Sequence, residues 1–459
     1  MSAVLSSVLP FLAILVLLVV VHELGHFITA KLAGIRVLEF GIGYPPRLFA
    51  FRRGETEYSV NILPLGGFVR LLGEEDPTDP RSLAAQPART RLVVMGAGSF
   101  MNFVLAVVLF SVALMIPREM PVGRALISQV VPDSPAAKAG LQPGDVLLEI
   151  DGREIESVAD ASYNIRLHLG ETVDVVVRRT DALSGEAVEK TVQVRPRWAP
   201  PPYEYVVQAG EDVEQVSRVT GFAPAAVRQA ADIDSELRVG QRLTIDDGVE
   251  LQEYVVKEGD TVESVARTLR VSENEVAKAA GLPDQNALAS GTTLRLAQGP
   301  TGIVIASQYP FTEARSLGPL TAMQRGLRQT FDSLKMARNQ VISWFKGGSG
   351  AMGGAPVSGP IGIAQATGEV VREAGWKSLM DLAALLSINL AVLNILPLPM
   401  LDGGRMAFVL IEIARRGRRI APAKEALVHF VGMVALLILV VVLSYFDVAR
   451  IVRGDSLFR

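Results

Sequence analysis

The strongest chemical signal in the chain is the run His22-Glu23-Leu24-Gly25-His26. On a helix, side chains four apart share one face, one turn removed. Two neutral imidazoles so placed can bind one Zn²⁺. The glutamate between them is placed to take a proton from water that such a metal activates. The chain has four histidines, so this pair uses half of them. The competing reading is a polar helix end at a membrane interface, with both imidazoles reaching for water.

A catalytic zinc site needs three protein ligands and a water. Asp402 is the best third ligand. It stands in Asn394-Ile-Leu-Pro-Leu-Pro-Met-Leu-Asp-Gly-Gly404, where Pro397 and Pro399 stop regular helix after a long apolar run. Irregular backbone at membrane depth survives only inside protein or against a wet cavity. A carboxylate in such a place needs a positive partner, which a metal supplies; alternatively, Asp402 caps a helix starting near Gly403. His429, in the last apolar stretch, is the second choice. His168 falls in a segment expected on the other side of the membrane.

These groups need elements to hold them. The chain has 459 residues, 49% of them apolar, and a mean hydropathy of +0.32. Residues 8–21, 92–116, 382–401 and 426–446 carry no charge except Asp402 beside the third run, and several approach the ~20 residues that cross a bilayer. The first run has no basic residue ahead of it and leads straight into His22, so it reads as a retained span, not a cleaved leader. Lysines and arginines crowd the loops between spans one and two and between the last two. Both loops are therefore expected in the cytoplasm, with both termini and residues from about 117 to 378 outside it. There is no cysteine, which excludes disulfides and thiolate metal sites. A net charge of −3 gives no general affinity for nucleic acid.

Outside the spans, 58–63 and 67–72 are β-prone runs expected to form a small cytoplasmic sheet. Residues 122–197 read as a compact domain, and Ser134-Pro-Ala-Ala-Lys-Ala-Gly-Leu-Gln-Pro-Gly-Asp145, running on to Ile155, resembles a PDZ domain. No GLGF-type carboxylate loop is evident; Val122-Gly-Arg-Ala-Leu126 is a weak match. Tyr205-Val-Val-Gln-Ala-Gly-Glu-Asp-Val213 recurs as Tyr254-Val-Val-Lys-Glu-Gly-Asp-Thr-Val262, 49 residues on. Each copy continues with two helical patterns and a closing strand. The pair resembles LysM modules, βααβ units that bind N-acetylglucosamine polymers such as peptidoglycan. Gly259, Asp260 and Thr261 are the matching sugar-site residues of the second copy. Residues 321–345 have helical periodicity, and 347–362 are glycine-rich.

Taken together, the chain resembles bacterial site-2 proteases of family M50, which cleave membrane-bound anti-sigma factors. The paired motifs that carry the resemblance are His22-Glu23-Leu24-Gly25-His26 and Leu401-Asp402-Gly403. The resemblance implies that His22, His26 and Asp402 ligate Zn²⁺ and that Glu23 is the general base. It further implies a multi-pass protein of the bacterial cytoplasmic membrane, single-pass membrane proteins as substrates, and a PDZ gate that admits substrates already trimmed. Asn389 and Asn394 match asparagines thought to hold the substrate backbone; packing between helices is the alternative for both. Asn102 either donates to a substrate carbonyl or bonds between spans. Tyr58 and Val60 lie in a sheet that offers an edge to an unwound substrate, or is simply a hairpin.

The expected architecture is thus a multi-domain membrane protein: a four-span α-helical zinc metalloprotease core with extracytoplasmic PDZ and LysM domains. The expected divisions are 1–116, 117–200, 203–248, 252–297, an amphipathic connector at 300–378, and 379–459. Two rivals stand beside the signalling protease: a membrane-anchored wall sensor without proteolysis, and a peptidase that clears leftover signal peptides.

Overall fold

A computed structural model describes the chain apart from residues 1, 75, 131–133, 181–185, 199–202, 208, 221–223, 232–236, 246–249, 263, 266–275, 277–287, 289, 292, 299, 347–358 and 454–459. It divides into two compact units, one of residues 1–118, 316–334 and 355–459, the other of 119–315 and 335–354.

The first unit is built on long apolar helices. Among the described residues, four helical segments are long and apolar enough to cross a membrane: they lie in α1 (Ser2–Leu32), α2 (Ala88–Met115), the helix Leu379–Ile395 with the 3-10 turn Trp376–Ser378 before it, and the helix Pro422–Arg453. These are the four runs expected from hydropathy. α2 is the centre of the unit. Its Ala106 and Phe110 pack against Ala384 and Ile388, while Ile14 and Leu18 of α1 close on Ala383. The last helix keeps a largely exposed apolar surface, from Leu427 to Val452, as a helix facing lipid does.

Between α1 and α2 run β1 (Val37–Arg53) and β2 (Thr56–Leu71). Residues 37–42 pair with 71–67, and 47–53 pair with 61–56, while 39–42 also stand in register with 57–60. The stretch holding Tyr58 and Val60 is therefore flanked on both sides, and the edges are 47–53 and 67–71. The edge expected of the sheet at 58–72 is thus at 67–71, and Tyr58 and Val60 lie on an interior strand. β1 is not evident in the sequence, because its arginines and Pro45-Pro46 do not look like strand; Leu48, Phe49 and Phe51 on it are exposed.

In the second unit, one sheet runs in the order β12-β3-β4-β6-β7, with β5 paired to β4. The strands are β3 (Arg118–Val130), β4 (Val146–Ile150), β5 (Arg153–Glu154), β6 (Val173–Thr180), β7 (Ala187–Val194) and β12 (Ile303–Arg315). The short α3 (Pro135–Lys138) has Ser134 as its N-cap, accepting from the Ala137 N–H. With α4 (Val158–Leu167) it joins a core of Ile127, Leu147, Ile150, Ile165, Val175, Val177 and Ile303. β12 falls in the stretch read as a connector. Strand neighbours are usually close in sequence, but here the repeat region lies between β12 and the rest of its sheet, where β12 pairs with β3, so an end at residue 200 leaves out the last strand.

That intervening region carries two small sheets. β8 (Tyr203–Val206) pairs with β9 (Arg242–Ile245), with α5 (Val213–Thr220) and α6 (Pro224–Ala231) between them around Val207, Val216, Val227 and Leu243. This is the βααβ order expected of the first copy. In the second copy β10 (Glu250–Val255) pairs with β11 (Thr293–Gln298); most of its helical stretch lies outside the described residues. Further on, α7 (Pro319–Phe345), α8 (Pro360–Glu373), α9 (Leu379–Ile395), α10 (Asp402–Ala414) and α11 (Pro422–Arg453) complete the chain.

Candidate metal centre

α1 runs unbroken through the His-Glu-Leu-Gly-His motif, so His22 and His26 stack on one face with ring centroids 4.8 Å apart. That face meets α2 at very short range. A Cβ on Gly25 would sit 2.4 Å from the carbonyl oxygen of Ala97, and one on Gly98 would sit 2.5 Å from His26 Nε2 and 2.6 Å from His22 Nε2. Only glycines allow this approach. His22 and His26 are 7% and 9% exposed.

The third group arrives from α10. The chain leaves α9 through Pro397 and Pro399, and Met400 adopts φ +76°, a conformation rare for a residue with a side chain. A Cβ on Gly403 would lie 2.1 Å from the Leu396 carbonyl oxygen, and on Gly404 2.3 Å from that of Leu398, so both glycines let the chain fold tightly back. Asp402 begins α10, whose N-cap is Leu401 and has no side-chain cap bond. The Asp402 carboxylate turns to the imidazoles instead: Oδ2 lies 3.1 Å from His22 Nε2 and 3.3 Å from His26 Nε2, and the two Nε2 atoms are 3.2 Å apart.

This triangle fits a metal better than a hydrogen-bond network. Ligand atoms about 2.0–2.1 Å from a tetrahedral Zn²⁺ stand about 3.3–3.4 Å from one another, and all three observed separations are close to that. The other ring nitrogens are held from α2, His26 Nδ1 by the Val94 carbonyl oxygen at 2.8 Å and His22 Nδ1 by the Asn102 amide at 3.2 Å. Imidazole ligands are held in this way at metal sites.

Glu23 lies beside the three, with His26, His22 and Asp402 as electrostatic neighbours, and its carboxylate accepts a hydrogen bond from the Val69 N–H of β2. A Cβ on Gly67 would be 3.6 Å from Glu23 Cγ, so the sheet edge 67–71 runs past the base. Asn394 shares a face of α9 with Ser387, seven residues earlier, and is half-buried. Asn389 is exposed and lies about 160° round the helix from Ser387. Ser387 itself donates to the Asn102 carbonyl oxygen at 2.8 Å, which pins α9 to α2 beside His22.

Several supports left little trace in the sequence. Nη2 of Arg91, on α2, donates to both carboxylate oxygens of Glu412, on α10, each at 2.8 Å, and Arg419 joins them. Removing one member of such a partly buried pair strands a charge, at a cost of about 3–5 kcal/mol when burial is complete. His429 does not join the triangle. Its Nδ1 accepts from the Met400 N–H at 2.9 Å, and its ring packs on Phe408. It thereby holds the strained residue two before Asp402. Replacing His429 with leucine should cost zinc retention while the fold persists, because a left-handed residue worth about 1–3 kcal/mol of strain loses its tie. Residual zinc after dialysis against a chelator measures this, and full retention would show that the loop stands unaided. His168 is remote in role: its ring is engaged by the Asn164 carbonyl oxygen and Asp151.

Gly259, Asp260 and Thr261 form a turn. Gly259 has φ +88°. Asp260 accepts from the Lys257 N–H and the Tyr254 hydroxyl, and Thr261 and Ser264 cap each other. The Lys257 amide, with the Tyr254 hydroxyl, holds the Asp260 carboxyl below its ordinary range.

Two histidines and an aspartate meeting among apolar helices, with a glutamate beside them, define a membrane-embedded metalloprotease. The model of peptidase family M50 matches residues 10–439, and the chain belongs to that family. A protein of Clostridium perfringens that carries a zinc-metalloprotease name is 31% identical over 434 residues, covering 94% of this chain and 95% of its own length. The zinc metalloproteases RasP of Oceanobacillus iheyensis and Geobacillus kaustophilus are each 25% identical, covering 97% and 98% of this chain and 99% of theirs. The chain is a zinc metalloprotease, and zinc is its cofactor. The reading as an anchored sensor without proteolysis falls away.

Proposed function

We propose that His22, His26 and Asp402 hold the zinc, that Glu23 is the general base, and that the substrates are membrane-spanning segments of single-pass proteins, of the anti-sigma-factor kind. The observation that carries this is the triangle of ligand atoms 3.1–3.3 Å apart, formed where helices suited to a bilayer meet. Zinc, when bound, acts as a Lewis acid toward the scissile carbonyl and makes water more acidic. The Glu23 carboxylate, steadied by the Val69 N–H, takes the proton as water oxygen bonds to the carbonyl carbon. It returns that proton to the amide nitrogen as the C–N bond breaks. The edge 67–71 pairs with the unwound substrate by β-augmentation, in place of Tyr58 and Val60, and Asn394 holds the substrate backbone.

The basic loops support a cytoplasmic site in the bacterial inner membrane, with the second unit outside the cytoplasm as a PDZ-like gate. Trapping substrates on the Glu23→Gln protein in cells tests the substrate class. Recovery of single-pass regulators supports it; recovery of signal peptides alone would replace it with the clearing role.

The repeats are read as a LysM pair that ties the gate to wall glycan. The support is the βααβ order of residues 203–245. The full-length protein in detergent should sediment with insoluble peptidoglycan and be released by millimolar chitin oligomers. Failure to sediment would reduce the pair to a spacer.

A further inference from the structure

We infer that Asn102 is a positioning residue that fixes the tautomer of His22 by accepting, through Oδ1, a hydrogen bond from His22 Nδ1–H. The inference rests on zinc binding by His22, His26 and Asp402. His22 Nε2 faces the other two ligand atoms and must offer a lone pair there. A neutral imidazole carries one N–H, so in His22 it is on Nδ1. That hydrogen needs an acceptor, and the group opposite it is the Asn102 amide, 3.2 Å away.

The amide atom drawn toward the ring is Nδ2, a donor, which would pair with the wrong tautomer. Asn102 Oδ1 is buried and without a partner among the described residues. A half-turn about the Cβ–Cγ bond exchanges the two atoms and brings the acceptor to the ring. Asn102 is 0% exposed, beyond contact with a substrate carbonyl in this state. His26 shows the same device without ambiguity, because the Val94 oxygen facing its Nδ1 can only accept.

The three positions form one stripe of α2. Val94, Gly98 and Asn102 recur every four residues, so they stand on one helix face. Gly98 makes room for both imidazoles, and the residues a turn before and a turn after orient them. α2 supplies no ligand, yet it holds the outer nitrogen of each histidine.

The test compares full-length wild-type protein, Asn102→Leu and Asn102→Asp in detergent. Zinc affinity is read by chelator competition, and apo-protein folding by thermal unfolding. Leucine keeps the shape and removes the bond; aspartate can only accept. We expect zinc to bind about 10–100-fold more weakly to the leucine variant, with the aspartate variant within a few-fold of wild type. Wild-type affinity in the leucine variant would overturn the inference, and so would an aspartate variant as weak as the leucine one. If leucine destabilises the apo protein, the aspartate variant alone decides between acceptor and donor. A fall in turnover with zinc affinity unchanged would overturn it in favour of a substrate contact. Wild-type protein without zinc would instead remove the metal assignment beneath it.

Discussion

Glu23→Gln protein will hold zinc as the wild type does and lose about 10²–10⁴-fold in turnover, the contribution of a positioned general base. Glutamine has nearly the same shape, and its amide oxygen can still accept from the Val69 N–H that Glu23 uses. What it loses is the basic carboxylate oxygen that takes a proton. Glu23 sits one residue off the face shared by His22 and His26, and it is not one of the three groups whose ligand atoms converge. Zinc content should therefore be unmoved. Asp402→Asn gives the contrast, because it withdraws a charged ligand and should empty the site. Zinc by mass spectrometry and cleavage of a reconstituted single-pass substrate separate the two variants. An active glutamine variant would end the general-base assignment; one that also lost zinc would make Glu23 a ligand.

The three candidate ligands are readable because their signals are local. His22 and His26 announce themselves by a spacing of four on an apolar helix, and Asp402 by standing where two prolines break one. Four spans followed from hydropathy alone. What the sequence hid depends on groups without a pattern. The Val94 partner of His26 is a main-chain oxygen, which any residue would supply. Arg91 and Glu412 are 321 positions apart and read as ordinary charges at helix ends. His429 looked like a spare ligand, since a histidine near a metal motif has the right chemistry; its actual bond is to the Met400 N–H, which no side-chain pattern foretells. Alternation marks 58–63 and 67–72 as strands but not their neighbours, so it does not say that 67–71 holds the edge and that Tyr58 and Val60 are interior. Their neighbour on one side, residues 47–53, is a run of arginines and exposed apolar side chains that follows two prolines. β12 was lost for a topological reason, separated from its sheet by two repeats with a stronger pattern of their own.

Gly98→Ala should produce a folded protein that binds zinc about tenfold to more than a hundredfold more weakly. The added methyl group would stand 2.5 Å from His26 Nε2 and 2.6 Å from His22 Nε2 and Cε1, well inside van der Waals contact. Overpacking in a tight core costs about 1–3 kcal/mol, and here the atoms that must yield are the ones whose convergence makes the site. The rings cannot swing aside freely, because Val94 and Asn102 hold their outer nitrogens. Relief therefore comes from widening the triangle with Asp402 or breaking those bonds, and either lowers affinity. Gly96→Ala is the internal control. Its methyl group would find Met406 Cε at 3.7 Å, an ordinary contact, and alanine in a helix interior gains about 0.5–1 kcal/mol over glycine. The two substitutions are the same chemistry, two residues apart on α2, and only one faces the imidazoles. Equal zinc affinity in the two variants would mean that the α1–α2 approach is looser than the structure has it, and that the ligand triangle is not confined by Gly98. A large loss in Gly98→Ala alone would show that the metal is held as much by the absence of a side chain on α2 as by the three side chains proposed to ligate it.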